Sequence, residues 1–313
     1  MNGLELSRRY YEAYGKPMIH EQFPEAEPYL CIGLAGSGSE CLGFDDAISE
    51  DHDFGPGFCI FLPGEDLVDR KTAFRLERAY AQLPQEFEGQ KRPQLAPVGG
   101  NRRGPIRMTE FFLDKTGSPT GELTLEQWLH VPAAALGEAT GGAVFADPLG
   151  QFTGIRERLA KLPRDIRRKR LAGHLLTMAQ SGQYNYQRCL DHGEPGAAQL
   201  AAYDFVKSAI SAVFLLNDRY EPFYKWAFRA LRALPVLSEL EMPLREIIER
   251  PNDPEESFEK YTRIESVASA VIEVLMDQEL TRAVCGDLEK HAYSVNDGIQ
   301  DGQLRNLHIL SGI

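Results

Sequence analysis

The apolar pattern of the chain changes character near residue 154, and that change limits the fold more than any other feature. Upstream, apolar runs are short and are punctuated by Gly and Pro, as buried strands and turns are. Residues 29–34 (YLCIGL) and 58–62 (FCIFL) predict two strands, residues 106–113 (IRMTEFFL) a third, and residues 143–145 a short fourth. Residues 4–14 and 65–83 predict helices, the second with Glu65 and Asp66 in its first turn. Downstream, segments such as DIRRKRLAGHLLTMAQ and AAQLAAYDFVKSAISAVFLLN are long, amphipathic and rich in Ala, Leu and Arg. Several are apolar on more than one face, which suits a bundle. The expected fold class is α+β: a small mixed sheet with flanking helices over residues 1–153, followed by an all-α helical-bundle domain over residues 154–313.

A chain of 313 residues is long enough for two cores. Lys and Arg number 34 against 46 Asp and Glu, a formal net charge of −12. That balance argues against binding duplex DNA, because neutralising phosphates needs clustered cations. The five cysteines form no CxxC pair, so neither a zinc knuckle nor a disulfide framework is indicated. The amino end, MNGLELSRRYYEAYG, lacks the apolar core of a signal peptide. No apolar run in the sequence approaches the ~20 residues that span a bilayer. The expected setting is the cytoplasm, with no membrane partner.

Chemistry concentrates in residues 34–62, LAGSGSECLGFDDAISEDHDFGPGFCIFL. Gly36-Ser37-Gly38-Ser39 follows the first expected strand directly, and glycine there lets backbone N–H groups approach an anion. Asp51-His52-Asp53 comes just before the second strand. In extended backbone, residues i and i+2 share a face, so Asp51 and Asp53 would present two carboxylates together. Hard oxygen ligands of this kind suit Mg²⁺, which shares its shell with water and substrate phosphates. The run Asp45, Asp46, Glu50, Asp51, Asp53 does not fit an EF-hand, since Gly55 stands at a ligand position and no glutamate closes the loop.

Gly-Ser followed by Asp-x-Asp resembles the signature of the nucleotidyltransferase superfamily that includes DNA polymerase beta and the aminoglycoside nucleotidyltransferases. Gly38-Ser39-x-x-x-Gly43 is similar to its Gly-Ser-x-Arg-x-Gly variant, with Cys41 where arginine is frequent. The string GSECLGFDD…DHDFGP looks like one branch of it, the DUF4037 family. The resemblance extends into the helical half through QSGQYNY and LNDRYEPFYKWAFRAL, which looks like the second domain of kanamycin nucleotidyltransferase-type enzymes.

The resemblance implies a metal-dependent nucleotidyltransferase moving an NMP, most plausibly AMP from ATP, onto an acceptor hydroxyl with release of pyrophosphate. The acceptor would be a small molecule, a protein or an RNA end, and a homodimer is compatible with it. Asp51 and Asp53 would hold one or two Mg²⁺ ions, and Gly38 and Ser39 would grip the terminal phosphates. Such sites usually need a third carboxylate. Glu110, on the expected third strand, is the first candidate and Asp147 the second. Lys225 in the helical half would add a cation on phosphate, with Tyr184, Asn185 and Arg188 lining the same cleft. The alternative reading is a non-catalytic nucleotide-binding or toxin–antitoxin-type partner protein on the same fold.

Blander roles are expected nearby. Asp45 and Asp46 read as turn or cap residues, and His52 points to the face opposite the aspartates. Cys41 and Cys59 read as buried thiols rather than nucleophiles. Arg102 and Arg103 read as a solvated turn, with an anion-binding loop as the lesser alternative, and residues 164–170 (RDIRRKR) as a helix face, with a nucleic-acid patch as the lesser alternative.

Overall fold

The computed structural model describes residues 2–46, 54–93 and 103–313. The chain divides into two compact units, Met1–Thr124 with Ala135–Ala160, and Leu125–Ala134 with Lys161–Ile313. The final crossing therefore falls after Ala160, and a short upstream segment already belongs to the second unit.

The first unit is built on a mixed four-stranded sheet of order β5-β2-β1-β6. Strand β1 (Cys31–Leu34) is antiparallel to both β2 (Cys59–Leu62) and β6 (Ala143–Ala146), and β2 is parallel to β5 (Gly104–Arg107). Every residue of β1 and β2 is buried, as expected of strands covered on both faces. The side-chain alternation of β2 shows the two layers. Ile60 and Leu62 join a cluster with Tyr10, Met18, Leu76 and Tyr80. These come from α1 (Gly3–Tyr10), α2 (Lys16–Gln22) and α4 (Arg70–Ala81), where a π turn (Tyr11–Gly15) links the first two. On the other face, Phe61 meets Phe111 of α5 (Met108–Thr116) and stacks at 4.0 Å on Phe152 of α8 (Gln151–Leu159). Fully burying such a ring contributes roughly 1.5–3 kcal/mol.

The third expected strand is corrected. Only Gly104–Arg107 is strand, and residues 108 onward form α5. Met108, Phe111 and Phe112 recur at i, i+3 and i+4, and all three are buried on one helix face. Gly117 ends the helix in the left-handed region at φ 74°. The short α3 (Ser39–Leu42) follows β1, and a small hairpin, β3 (Glu86–Phe87) with β4 (Gln90–Lys91), turns at Glu88-Gly89 with positive φ at both positions.

The second unit is helical. It contains α6 (Leu125–His130), the start of α7 (Ala133–Thr140), and everything after Ala160. Helix α9 (Arg164–Met178) continues through a π segment (Ala179–Asn185) into α10 (Tyr186–Asp191). Its core joins Leu171 and Leu175 to Phe205, Ala209 and Val213 of α11 (Pro195–Leu216). Smaller contributions come from α12 (Tyr224–Leu231) and α13 (Glu241–Glu249); the rest is supplied by α14 (Pro254–Asp277) and α15 (Leu288–Asp297), while α16 (Gly302–Asn306) follows. By length and composition α11 could cross a membrane, an amendment to the sequence reading, yet most of its apolar window is buried inside this unit.

The basic run 164–170 is not an exposed face. Lys169 is fully buried, and its ammonium donates to Asn296 Oδ1 at 2.9 Å and, at the end of α16, to the carbonyls of Leu307 at 2.7 Å and Arg305 at 3.4 Å. Arg170 donates to the carbonyls of Trp128 and Leu129 at 2.9 Å and Val131 at 2.5 Å, tying down the end of α6. Both cations satisfy orphan carbonyls at helix C-termini, where positive charge is also favoured by the helix dipole.

Candidate active site

The chain leaves β1 at Leu34 and turns through Gly36 at φ 109° and Gly38 at φ 137° before Ser39 opens α3. These conformations are easily reached only by glycine. A Cβ at Gly38 would also lie 2.7 Å from Glu40 Oε2 and would oblige that carboxylate to shift. Glu40, only 5% exposed, sits beneath the turn and pairs with Arg103 at 2.6 Å. Arg103 donates in addition to the carbonyls of Gly55 at 2.5 Å and Gly57 at 3.3 Å, on the segment entering β2. Arg103 is thus a structural clamp rather than a solvated turn residue. Antiparallel pairing places Gly33 opposite Cys59. The end of β1 and the start of β2 therefore share one sheet edge, and Arg103 fastens them together.

A second group reaches the turn from the other side. Ser37 Oγ donates to Glu138 Oε2 at 2.8 Å, and Lys115 Nζ lies 2.9 Å from the same oxygen and 3.4 Å from Ser37 Oγ. Burial alone would lower the Lys115 pKa, but Glu138 and Asp114 outweigh it and hold the ammonium above the usual lysine range. Sequence reasoning did not find Lys115 or Glu138. Ser37 and Glu138 are separated by 101 positions, with no local signal to join them.

The expected site residues fall into three groups. Gly38 and Ser39 form the turn as described. Asp51 and Asp53, like His52 and Arg102, lie outside the described residues. Glu110 is in the first turn of α5, exposed, and not on a strand. Helix α5 starts from the Arg107 end of β5, which pairs with Leu62, whereas the glycine turn lies at the Cys59 end. Glu110 thus begins at the opposite sheet edge, and the same helix returns Lys115 to the turn. Asp147 caps the start of α8 by accepting from Thr153 N at 2.8 Å. Asp45 accepts from Gly3 N at 2.6 Å, the structural role expected of it. Lys225 belongs to the second unit, is exposed, and lies over the Trp226 ring at 5.2 Å. Tyr184 is exposed in that unit, with the Arg188 guanidinium 4.8 Å over its ring.

Among the described residues no group of three His, Cys, Asp or Glu side chains could hold a metal. The carboxylates around the turn are engaged: Glu40 by Arg103, Glu138 by Lys115 and Ser37, Asp45 by Gly3. A divalent cation beside the turn would need donors other than these engaged carboxylates; Asp51 and Asp53, of the hard-oxygen type that suits Mg²⁺, lie outside the described residues. The thiols do not compete for the role of nucleophile. Burial pushes Cys59 up to about 11 and Cys41 higher still, so both stay protonated.

The helical unit holds a cavity of about 370 Å³ between α9, α11, the segments around His130 and Tyr220, and Gly312-Ile313. Burial, with Arg170 and Lys207 adding to it, pushes His174 down to about 3 and keeps it neutral. Burial also raises the Glu221 carboxyl, against the pull of a 2.5 Å hydrogen bond from Ser211 and the nearby Lys207.

Comparison with known proteins places most of the lining of this cavity inside a matched stretch. The model of a family described as "Domain of unknown function (DUF4037)" matches residues 128–227, which begin beyond the glycine turn. No curated protein and no solved structure matches the chain. The matched stretch, residues 128–227, runs from α6 to α12, and over it the chain is similar to the DUF4037 family.

Proposed function

We propose that this protein is a metal-dependent nucleotidyltransferase that moves an NMP, AMP in the first instance, from an NTP to an acceptor hydroxyl and releases pyrophosphate. One observation carries this reading: β1 ends in a double-glycine turn at the sheet edge where β2 begins, and Asp51-His52-Asp53 leads into that same β2. Asp51 and Asp53 hold Mg²⁺. When bound, Mg²⁺ supplies Lewis-acid neutralisation of charge developing on the triphosphate.

The chain's own groups do the positioning. Backbone N–H groups around Gly38, with Ser39, hold the terminal phosphates. Lys115, kept protonated beside Ser37, supplies countercharge from the opposite side. Arg103 ties the carbonyls of Gly55 and Gly57, on the segment entering β2, to Glu40 beneath the turn. Catalysis of this kind rests on orientation and electrostatic preorganisation more than on covalent chemistry.

The test uses each of the four NTPs with Mg²⁺, labelled either at the α- or at the γ-phosphorus, against small-molecule, protein and RNA acceptors. The expected result is α-label on the acceptor and γ-label in pyrophosphate. Transfer of γ-label with formation of a nucleoside diphosphate would replace the reading by a kinase. Bound NTP with no turnover on any acceptor would replace it by the non-catalytic nucleotide-binding or toxin–antitoxin-type role.

A further inference from the structure

A larger cavity in the helical unit, about 670 Å³, is formed by α9, α15 and the segment after α14. Arg164, Arg168, Arg282 and Lys290 line it, against two carboxylates, Glu279 and Asp297. In a chain of net charge −12 this local excess of cations is an exception, and it draws anions that the rest of the surface repels.

Arg168 is the centre of the feature. It is 8% exposed, and its Nε is enclosed with no hydrogen-bond partner among the described residues. Buried charges are normally paired, because an unpaired one forfeits its hydration for nothing. The carboxylate nearest in sequence, Asp165, accepts at Oδ2 from the backbone N–H groups of Gln300 at 3.0 Å and Asp301 at 2.8 Å; its charge favours the Arg168 guanidinium but makes no hydrogen bond to its Nε. Burial pulls the Arg168 pKa down, yet a guanidinium keeps its proton. The backbone also makes space for it. A Cβ on Gly298 would fall 1.8 Å from Arg168 Nη1, although Gly298 has an ordinary φ of −76°. Glycine at 298 is therefore needed for the guanidinium's room, not for backbone freedom.

We propose that this cavity binds a phosphate monoester carrying a planar ring, as a mononucleotide does. The phosphate sits on the Arg168 guanidinium between Arg282 and Lys290, and the ring lies on Tyr293, which lines the cavity and is 48% exposed. Guanidinium forks match phosphate oxygens in pairs, lysine adds a point charge, and tyrosine offers a flat face at small entropic cost. The proposal is independent of the catalytic reading, since none of these residues belongs to the glycine-turn site.

The test is calorimetric titration of the full chain in EDTA, in an Asp51→Asn/Asp53→Asn background that silences the other site. The probes are AMP, inorganic phosphate, adenosine and benzoate. AMP should bind tightest, with adenosine and benzoate about tenfold weaker or more, the worth of one or two charge-assisted hydrogen bonds. Arg168→Gln and the exposed pair Arg282→Ala/Lys290→Ala should each weaken AMP about tenfold or more. Gly298→Ala should do the same without changing any charge, because its methyl displaces the guanidinium, and it keeps the test informative where Arg168→Gln fails to fold. Tyr293→Ala should weaken AMP and leave inorganic phosphate unchanged. AMP affinity unaltered by Gly298→Ala and by the Arg282/Lys290 pair, or adenosine binding as tightly as AMP, would overturn the site. Equal affinity for inorganic phosphate and AMP would overturn the ring's place on Tyr293.

Discussion

Asp51→Asn and Asp53→Asn are each expected to lower metal-dependent pyrophosphate release by about three orders of magnitude. A tenfold loss corresponds to 1.36 kcal/mol of transition-state stabilisation, and a metal clamp on a triphosphate supplies several. Asparagine preserves the shape of the side chain and removes only the charge that a hard cation needs. On the proposed reading the two carboxylates would act on one ion, so the double variant should be little worse than either single one, as groups acting as a unit are strongly non-additive. Asp45→Asn is the internal control. Its partner is the Gly3 amide, so it should cost some stability and leave turnover largely intact. Steady-state pyrophosphate assays on wild type and the four variants decide the matter: additive losses, or a loss at Asp45 equal to that at Asp51, would mean that the pair does not share a metal.

Lys260→Met carries the largest expected effect on stability, about 3–5 kcal/mol. Lys260 on α14 is fully buried. Its ammonium donates to the Arg250 carbonyl at 2.5 Å, Asn252 Oδ1 at 2.7 Å and Gln199 Oε1 at 2.9 Å. Asn252 in turn receives the Tyr186 hydroxyl at 3.0 Å and donates to the Pro195 carbonyl at 2.9 Å. One cation thus closes the end of α13 and links α10, α11 and α14. Methionine fills similar volume but removes three hydrogen bonds from a charged donor, each contributing roughly 1.5–3 kcal/mol, and takes from the Arg250 carbonyl the donor it has here. Chemical denaturation followed by far-UV circular dichroism measures the loss, and a variant within about 0.5 kcal/mol of wild type would refute the network's importance.

The same residue gives a pH signature. Burial pulls Lys260 down to about 8, against the opposing pull of Asp253 and Glu256. The unfolded chain, with an ordinary lysine pKa near 10.5, binds more protons between those values, so this residue makes stability rise with pH across that window. The gap between wild type and Lys260→Met should accordingly widen from pH 8 towards 10.5.

Strands β1 and β2 were legible because both are brief apolar runs bounded by turn residues and buried on both faces, so composition alone marks them. Residues 106–113 were misread because Ile106 and Met108 alternate like a strand, while the decisive spacing, Met108 to Phe111 and Phe112, takes over within the same octet. The Glu86–Lys91 hairpin was too short to show any period. Side-chain destinations were the least legible. Nothing local says that Lys169 and Arg170 turn inward, since the carbonyls they satisfy lie about Leu307 and Leu129, far along the chain in both directions. Lys115 escaped notice for the same reason: only the fold of α5 back along the sheet brings it to Ser37. The glycine turn, by contrast, was readable because backbone conformation there is written in the residue type itself.

The central claim is that Asp51 and Asp53 hold a divalent ion beside the Gly36–Ser39 turn, and paramagnetic relaxation by Mn²⁺ tests it most directly. Titrating Mn²⁺ into isotope-labelled protein should broaden the amide signals of Gly36, Ser37, Gly38 and Ser39 at low metal ratios, and the Asp51→Asn/Asp53→Asn protein should show no such broadening. Broadening at those amides that persists in the double variant, or none at all in wild type, would contradict the account.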